Sequence, residues 1–380
     1  MKLLVFNAGS SSLKYRLFGL ADREAPVEKA RGEVERIGTG GEAPADHAMA
    51  VRRVLGDLHR RGEDRFEAYA HRVVHGGERF SDPARIDDDT FAAIEAATDL
   101  APLHNGPALA VIRECRRTAP AGTPQIAVFD TAFHRTLPEP AYRYALPLEL
   151  AERLGIRRFG FHGLSYRSIC DRYFGETGRS VESSRLVAFH LGNGASACAL
   201  SGGRSLDTSM GFTPLEGLVM GSRCGDLDAS LVPYIAGREG LTGAEVLAQL
   251  NDRSGLLGLS GVSRDVREIE RAADEGNARA RLALEIFAYR ARKYLGAYLA
   301  ALGGADAVLF AGGIGEHAAG IRATMLEGLE ELGISLDRTR NEKVRGEIGR
   351  ISAEGSRIEA WVIPTDEEAV IAGDAARLLA

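Results

Sequence analysis

Lys14 is well placed for chemistry because of what surrounds it. From Ala8 to Ser12 no side chain is larger than serine. A backbone that must lie against a polyanion needs that smallness, which leaves its amide N–H donors uncovered. The hydroxyls of Ser10 and Ser12 add donors, and Lys14 offers a charge to a phosphate oxygen. Asn7 brings an amide that can sit near a metal ion. Phosphate binding is the chemistry such a set supports, with a serine-rich hairpin tip as the plain alternative. Leu3–Phe6 and Lys14–Phe18 read as strands, so the small residues form a turn between them. A Walker loop does not fit, because its Lys-Ser/Thr pair opens a helix, whereas strand alternation continues after Lys14.

The elements around this turn suggest an α/β chain built twice. A loop rich in Gly, Pro and Asp runs from Gly38 to Asp46, followed by a helix over about Ala48–Arg60 with Val51, Val54, Leu55 and Leu58 at helical spacing. Further helices are expected near Thr90–Ala97, Pro107–Arg117, Leu148–Leu154 and Ser165–Phe174, and short buried strands at Ala70–Val74 and Ile126–Phe129. A second strand–turn–strand unit spans Arg185–Leu200, with Gly192-Asn193-Gly194 as its turn. Two hairpins of one kind, one in each half, predict a duplicated α/β fold with a cleft between the copies. A single long helix is expected over Val266–Leu302. The strand Ala307–Ala311 then enters a glycine turn ahead of a helix near Ile321–Leu332. The chain closes with the strand Ala360–Ile363, the turn Pro364–Glu368 and the helix Ala369–Leu379.

Composition narrows the partners. With 380 residues, 45% of them hydrophobic, the chain can bury the cores of two domains. A formal net charge of −6 argues against nucleic acid and anionic membranes, and makes any anion site a local basic pocket. Cys115, Cys170, Cys198 and Cys224 have no paired ligand spacing and read as reduced thiols. The apolar run after Lys2 is too short for a secretory leader, and no run reaches membrane-spanning length. A cytoplasmic protein is expected.

Two glycine motifs imitate a dinucleotide fingerprint. Gly313-Ile314-Gly315-Glu316-His317-Ala318 lies between a strand and a helix, but too few strands follow it to build a Rossmann domain. Gly192–Ala197 leads into a strand and fails the same test. His71, His75, His104, His134 and His190 read as hydrogen bonders in loops, since none pairs with a carboxylate at ligand spacing. His162 differs, because Phe159-Gly160-Phe161-His162-Gly163 sets it on a tight turn between aromatic residues.

At this point the chain resembles the acetate kinase family along nearly its whole length. The signature Asn7–Lys14 is followed in family order by His71–Glu78, Ala101–Asn105, Val128–His134, Gly160–Gly163, His190–Gly194, Gly221–Asp228 and Gly313–Glu316. The resemblance implies a duplicated two-domain fold of the actin-like, ribonuclease H-like type shared by sugar kinases, actin and Hsp70. The implied domains are 1–147 plus 368–380, and 148–367. It implies reversible transfer of the ATP γ-phosphoryl group to acetate, giving acetyl phosphate and ADP, with Mg²⁺ and with Mn²⁺ as a substitute. By the same resemblance Asn7 and Glu367 hold the metal, Asp130, His162 and Arg223 are catalytic, and Arg72 binds acetate. Val74, Leu103, Phe161 and Pro214 would take the methyl group. Ser10, Ser12 and Lys14, His190, Leu191, Gly192, Asn193 and Gly194 are assigned to the nucleotide. So are Asp265, Val266 and Arg267, and Gly313, Ile314, Gly315, Glu316 and His317. A homodimer is implied as well.

The chain departs from the family at five places. His317 and Asp366 stand where asparagine is usual, Cys224 replaces Ser or Thr, Tyr166 replaces His, and Gly106 replaces Pro. Asp366 is expected to add a carboxylate beside the metal. Acetate is already ionised at neutral pH, so the reaction needs charge neutralisation and alignment rather than a base, and Asp130 reads as an orienter. Propionate kinase is the near alternative. A non-catalytic actin-like nucleotide switch is the distant one, and ATPase assays with and without acetate separate it.

Overall fold

The computed structural model describes residues 1–21, 25–63, 65–100 and 102–380, with the side chains of 99–104 left outside the description. The residues group into two compact units. One comprises Met1–Arg135, Phe161–Ser168 and Asp366–Ala380, and the other Thr136–Gly160 and Ile169–Thr365. The segment Phe161–Ser168, expected with the C-terminal half, therefore clusters with the first.

Each unit is built on a six-stranded mixed sheet. The first sheet uses β1 (Lys2–Ala8), β2 (Leu13–Gly19), β3 (Val27–Val34), β4 (Ala68–Val73), β5 (Ala84–Arg85) and β6 (Gln125–Phe129), in the order β3-β2-β1-β4-β6-β5. The second uses β7 (Arg185–Leu191), β8 (Ala195–Ser201), β9 (Arg204–Thr208), β10 (Ala307–Ala311), β11 (Gly349–Arg350) and β12 (Glu359–Val362). Its order, β9-β8-β7-β10-β12-β11, is the first order with six added to each number. The pairing repeats too: an antiparallel three-stranded meander, two parallel neighbours, and an antiparallel two-residue edge. The chain is a duplicated, two-domain α/β protein of actin-like type.

In the first unit β1 is apolar on both faces, as a sheet covered on two sides requires. Leu4 and Phe6 pack with Leu13, Tyr15 and Leu17 against the helix His47–Arg60 and against Val111 and Cys115. Leu3 and Val5 point the other way, with Ala70, Ile126 and Val128, onto Ile371, Ala372 and Ala375 of the helix Glu367–Leu379. The C-terminal helix is thus one wall of the N-terminal core.

Two expectations need correction. The helix foreseen over Val266–Leu302 is two helices, Val266–Asp274 and Ala278–Leu302, separated at Gly276 by Asn277, whose side chain accepts from the Ala280 amide at 3.1 Å and caps the second. The glycine turn after β10 is itself a helix, Gly312–His317, followed directly by Ala319–Leu326.

Candidate active site

The first unit gathers Asn7, Arg72, Asp130 and Glu367 around the end of its hairpin, whereas Pro214 lies in the second unit. Asn7 is the last buried polar residue of β1 and lies opposite Lys14 across the β1–β2 register. The turn closes through a 2.9 Å bond from the Gly9 amide to the Ser12 carbonyl, and leaves Ser10 and Lys14 exposed. Asn7 Nδ2 donates to Glu367 Oε2 at 3.1 Å and to Glu368 Oε1 at 2.8 Å. Arg72, next to the end of β4, donates from Nη1 to Asn7 Oδ1 at 3.2 Å, and its Nε stands 3.8 Å from Glu367 Oε2. The guanidinium also forks onto Asp130, with Nε to Oδ1 at 3.2 Å and Nη2 to Oδ2 at 2.5 Å. Five residues, the outermost 361 positions apart, thereby form one hydrogen-bonded cluster.

Burial opposes the Arg72 charge, yet the fields of Asp130, Glu367 and Glu368 outweigh it and hold the cation firmly protonated. Burial pushes the Asp130 carboxyl above the ordinary aspartate range, against the pull of Arg72 and an amide bond from Leu164. His71 and His75 are pushed down to about 4 by burial and are neutral at pH 7, which leaves Arg72 to supply charge here.

His162 is one of two non-glycine residues with positive φ among the described residues, at +60°. A β-carbon in that region is strained, and such strain persists where the surroundings fix it. The surroundings are close. A Cβ on Gly163 would lie 1.9 Å from the Asp130 carbonyl oxygen, so only glycine lets this turn approach Asp130. The His134 Nε2–H donates to the Phe161 carbonyl at 2.9 Å from the other side. Val74 and Phe161 are both buried, and the ring of Phe161 meets that of His75 edge-on at 5.6 Å. Asn105 ties down the backbone of His75 through two 3.0 Å bonds. Leu103 lies in the helix Pro102–Thr118, but its side chain falls outside the described residues, as does that of His104.

The second unit gathers the glycine-rich elements. The Gly192–Gly194 turn at the β7–β8 tip closes by a 3.0 Å bond from the Gly192 amide to the Gly194 carbonyl, and the Asn193 carbonyl accepts from the Gly221 amide at 2.9 Å. Gly312 has φ +73°, and a Cβ there would lie 2.7 Å from the Leu191 carbonyl, so the helix Gly312–His317 starts against the first hairpin strand. His190–Gly194 and Gly313–His317 are therefore neighbours. Asp265 caps the helix that begins at Val266, accepting from the Arg267 amide at 2.9 Å, and the Arg267 guanidinium folds back onto it. Arg223 donates from Nη1 to the Pro214 carbonyl at 2.6 Å. Burial lowers its pKa to about 10, with Asp252 opposing, and no carboxylate pairs with it among the described residues. A part-buried cation held by a carbonyl is suited to receive an anion.

Several supporting residues carry no motif. Arg322, fully buried, donates to the carbonyls of Gly315, Asn341 and Val344 and to Asn341 Oδ1, and so anchors the Gly312–His317 helix. Glu216 ties Arg158 at 2.6 Å and also accepts from Tyr144 OH, fixing the loop that bears Pro214 and Arg223. Only their chain neighbourhood hinted at them.

A model of the acetokinase family matches residues 2–373. An acetate kinase of Halothermothrix orenii is 47% identical, with 100% of both chains covered. The crystal structure of Porphyromonas gingivalis acetate kinase superposes with a TM-score of 0.90 at 40% identity over 100% of each chain. That of a propionate kinase from Francisella tularensis gives 0.87 at 36% identity over 98% of each. With a family match across nearly all of its length and relatives this similar end to end, the chain belongs to the acetokinase family.

Proposed function

We propose that this protein is an ATP-dependent kinase that phosphorylates acetate, reversibly, to acetyl phosphate. The observation that carries the reading is the cluster of Asn7, Arg72, Asp130 and Glu367 beside a hairpin turn stripped of bulk. Acetate arrives as a carboxylate, so no group need remove a proton from it. The difficulty is to bring two anions together and hold them in line. In this reading Arg72 binds and orients the acetate carboxylate, and Asp130 fixes the plane of Arg72 by the two-point fork. His162 donates toward the transferring group from a turn whose strain aims it. Arg223 stabilises charge that grows on that group, and Lys14, Ser10 and Ser12 with the hairpin amides hold phosphate oxygens. The glycine-lined elements of the second unit take the nucleoside.

Hard oxygen donors from one amide and one carboxylate match the habit of Mg²⁺, which uses one or two protein ligands and completes its shell with water and substrate phosphate. Asn7 and Glu367 would hold it. When bound, Mg²⁺, or Mn²⁺ in its place, supplies neutralisation of phosphate charge. Among the described residues no group of three or more His, Cys, Asp or Glu forms a dedicated cage.

Propionate is not the favoured acceptor, since curated relatives that match across the full length are acetate kinases. Val74, Leu103, Phe161 and Pro214, which the resemblance assigns to the acetate methyl, are apolar and expected to suit a methyl group, and one methylene is worth ~1–3 kcal/mol. A hydroxamate assay for acyl phosphate is expected to rank acetate above propionate, with butyrate nearly inert. Equal specificity constants for butyrate and acetate would refute this assignment of the methyl group.

A cytoplasmic homodimer completes the proposal. No helix among the described residues is long and apolar enough to cross a membrane. The helix Leu231–Glu239 buries none of its residues, and Tyr234 and Leu247 of this region are 59% and 49% exposed. Such an apolar surface favours a second copy as cover. Analytical ultracentrifugation should show a dimer that Tyr234→Glu weakens.

A further inference from the structure

The turn Asp366-Glu367-Glu368 sets three carboxylates on consecutive residues at the start of the C-terminal helix. Its first member stands where asparagine is usual in the family that this chain resembles. Beside a divalent-ion site, an added carboxylate either becomes a third ligand or is held away. The fate of Asp366 is visible in its contacts. Arg16 of β2 places Nη1 2.7 Å from Asp366 Oδ1 and 3.4 Å from Glu28 Oε2, and Nη2 3.4 Å from Glu368 Oε2. Asp366 Oδ1 also accepts from the Ala369 amide at 3.2 Å as helix cap, while the Asp366 amide donates to Ser168 Oγ at 2.7 Å. Glu367 faces Asn7 and Arg72, and Glu368, through Oε1, also accepts from Asn7 Nδ2 at 2.8 Å. The Arg16 side chain is only 16% exposed, so solvent and salt screen these pairs less than surface ones.

We propose that Arg16 is a positioning residue that hydrogen-bonds Asp366, pairs with Glu368 beside it, and keeps Asp366 out of metal coordination, so that Glu367 serves the ion without Asp366 as a further ligand. This rests on the reading that Asn7 and Glu367 hold the metal. Three adjacent carboxylates repel one another, and the helix N-terminus offsets only part of that. An arginine can engage two of them at once because its donors are fixed in a plane, which an ammonium cannot do. Arg16 and Asp366 thus act as a unit, and the asparagine-to-aspartate departure is a structural ion pair.

The test is direct binding of Mn²⁺ to nucleotide-free protein, with the unbound ion counted by electron paramagnetic resonance. Arg16→Gln should release Asp366 as an additional ligand and tighten Mn²⁺ binding about tenfold, since cation affinity follows the charge of the ligand set. Asp366→Asn should change affinity little in the parent, yet reverse the gain in the Arg16→Gln background. That non-additivity is the signature of the unit. If Arg16→Gln is insoluble, Arg16→Lys should give the same order of effects at smaller size. Unchanged Mn²⁺ affinity in the Arg16 variants would overturn the proposal. So would an Asp366→Asn effect equal in both backgrounds, which marks through-space charge alone. Parental Mn²⁺ binding by Glu367→Gln would instead overturn the metal site itself, whatever Arg16 does.

Discussion

Arg223→Ala is expected to lower kcat by ~10²–10³ or more while leaving the KM for ATP nearly unchanged. The reason lies in what the guanidinium lacks. It is part-buried, bonded to the Pro214 carbonyl, and its pKa is pushed down to about 10 because burial disfavours its charge. An arginine in that condition gains most from an anion when negative charge is greatest, which is in the transition state. Binding energy of that kind appears in kcat. Steady-state hydroxamate kinetics check it, and near-parental kcat in the alanine variant would remove Arg223 from the proposed centre. Arg72→Ala should behave differently. Acetate KM rises, and the fold itself weakens by ~3–5 kcal/mol, because Asp130 is left buried without its partner. Without Arg72 the Asp130 pKa climbs further above its unfolded value. The loss is then full at a pH above the folded pKa and shrinks as pH falls toward ~4. Urea midpoints at pH 5 and pH 8 should show the larger deficit at pH 8.

The difference between these two arginines could not be read from their neighbours in sequence. Both follow from resemblance, but their environments are tertiary: Asp130 is 58 positions from Arg72, and Glu367 is 360 positions from Asn7. What the sequence carried well was local. The two hairpins announced themselves by apolar strands around small-residue turns, and β1–β2 and β7–β8 pair there in unbroken antiparallel register. What it carried poorly has physical causes as well. β3, Val-Glu-Lys-Ala-Arg-Gly-Glu-Val, is an edge strand whose charges face water, so no apolar period marks it. β5 and β11 are two residues each and too short to show any period. The break at Gly276-Asn277 was legible in principle as a glycine followed by a capping residue. The helical richness on both sides masked it. Asp366 illustrates a subtler limit. Its identity suggested an added carboxylate beside the metal, and its hydrogen bond with Arg16 could not be read, because Arg16 lies 350 positions away on a strand where an arginine reads as surface.

Removing the chain from Ala369 onward should abolish folding of the N-terminal core, although the deleted segment belongs to none of the catalytic motifs. The helix Glu367–Leu379 buries Ile371, Ala372 and Ala375 completely, with Val370 and Leu379 packed at the margin. They cover Leu3, Val5, Phe18, Ala68, Ala70, Ile126 and Val128, the apolar face of β1, β2, β4 and β6 on that side. Asp374, buried, takes two bonds from Arg167 at 2.7 and 2.8 Å, and would leave that cation behind. Each large side chain returned to water costs about 1.5–3 kcal/mol, and at least five of these would be uncovered. The sum matches or exceeds the ~5–15 kcal/mol by which a domain of this kind is stable. A graded series separates loss of packing from loss of the metal ligand. Ile371→Ala should cost ~2–5 kcal/mol and leave Mn²⁺ binding intact in the folded fraction. Glu367→Gln should keep stability and weaken metal binding. Hydrogen exchange reads the outcome at the β1, β4 and β6 amides, which should lose protection in the truncated chain. If those amides stayed protected without the last helix, the hairpin that bears Asn7 would not depend on the C-terminus, and the packing that brings Glu367 to it would be incidental rather than required.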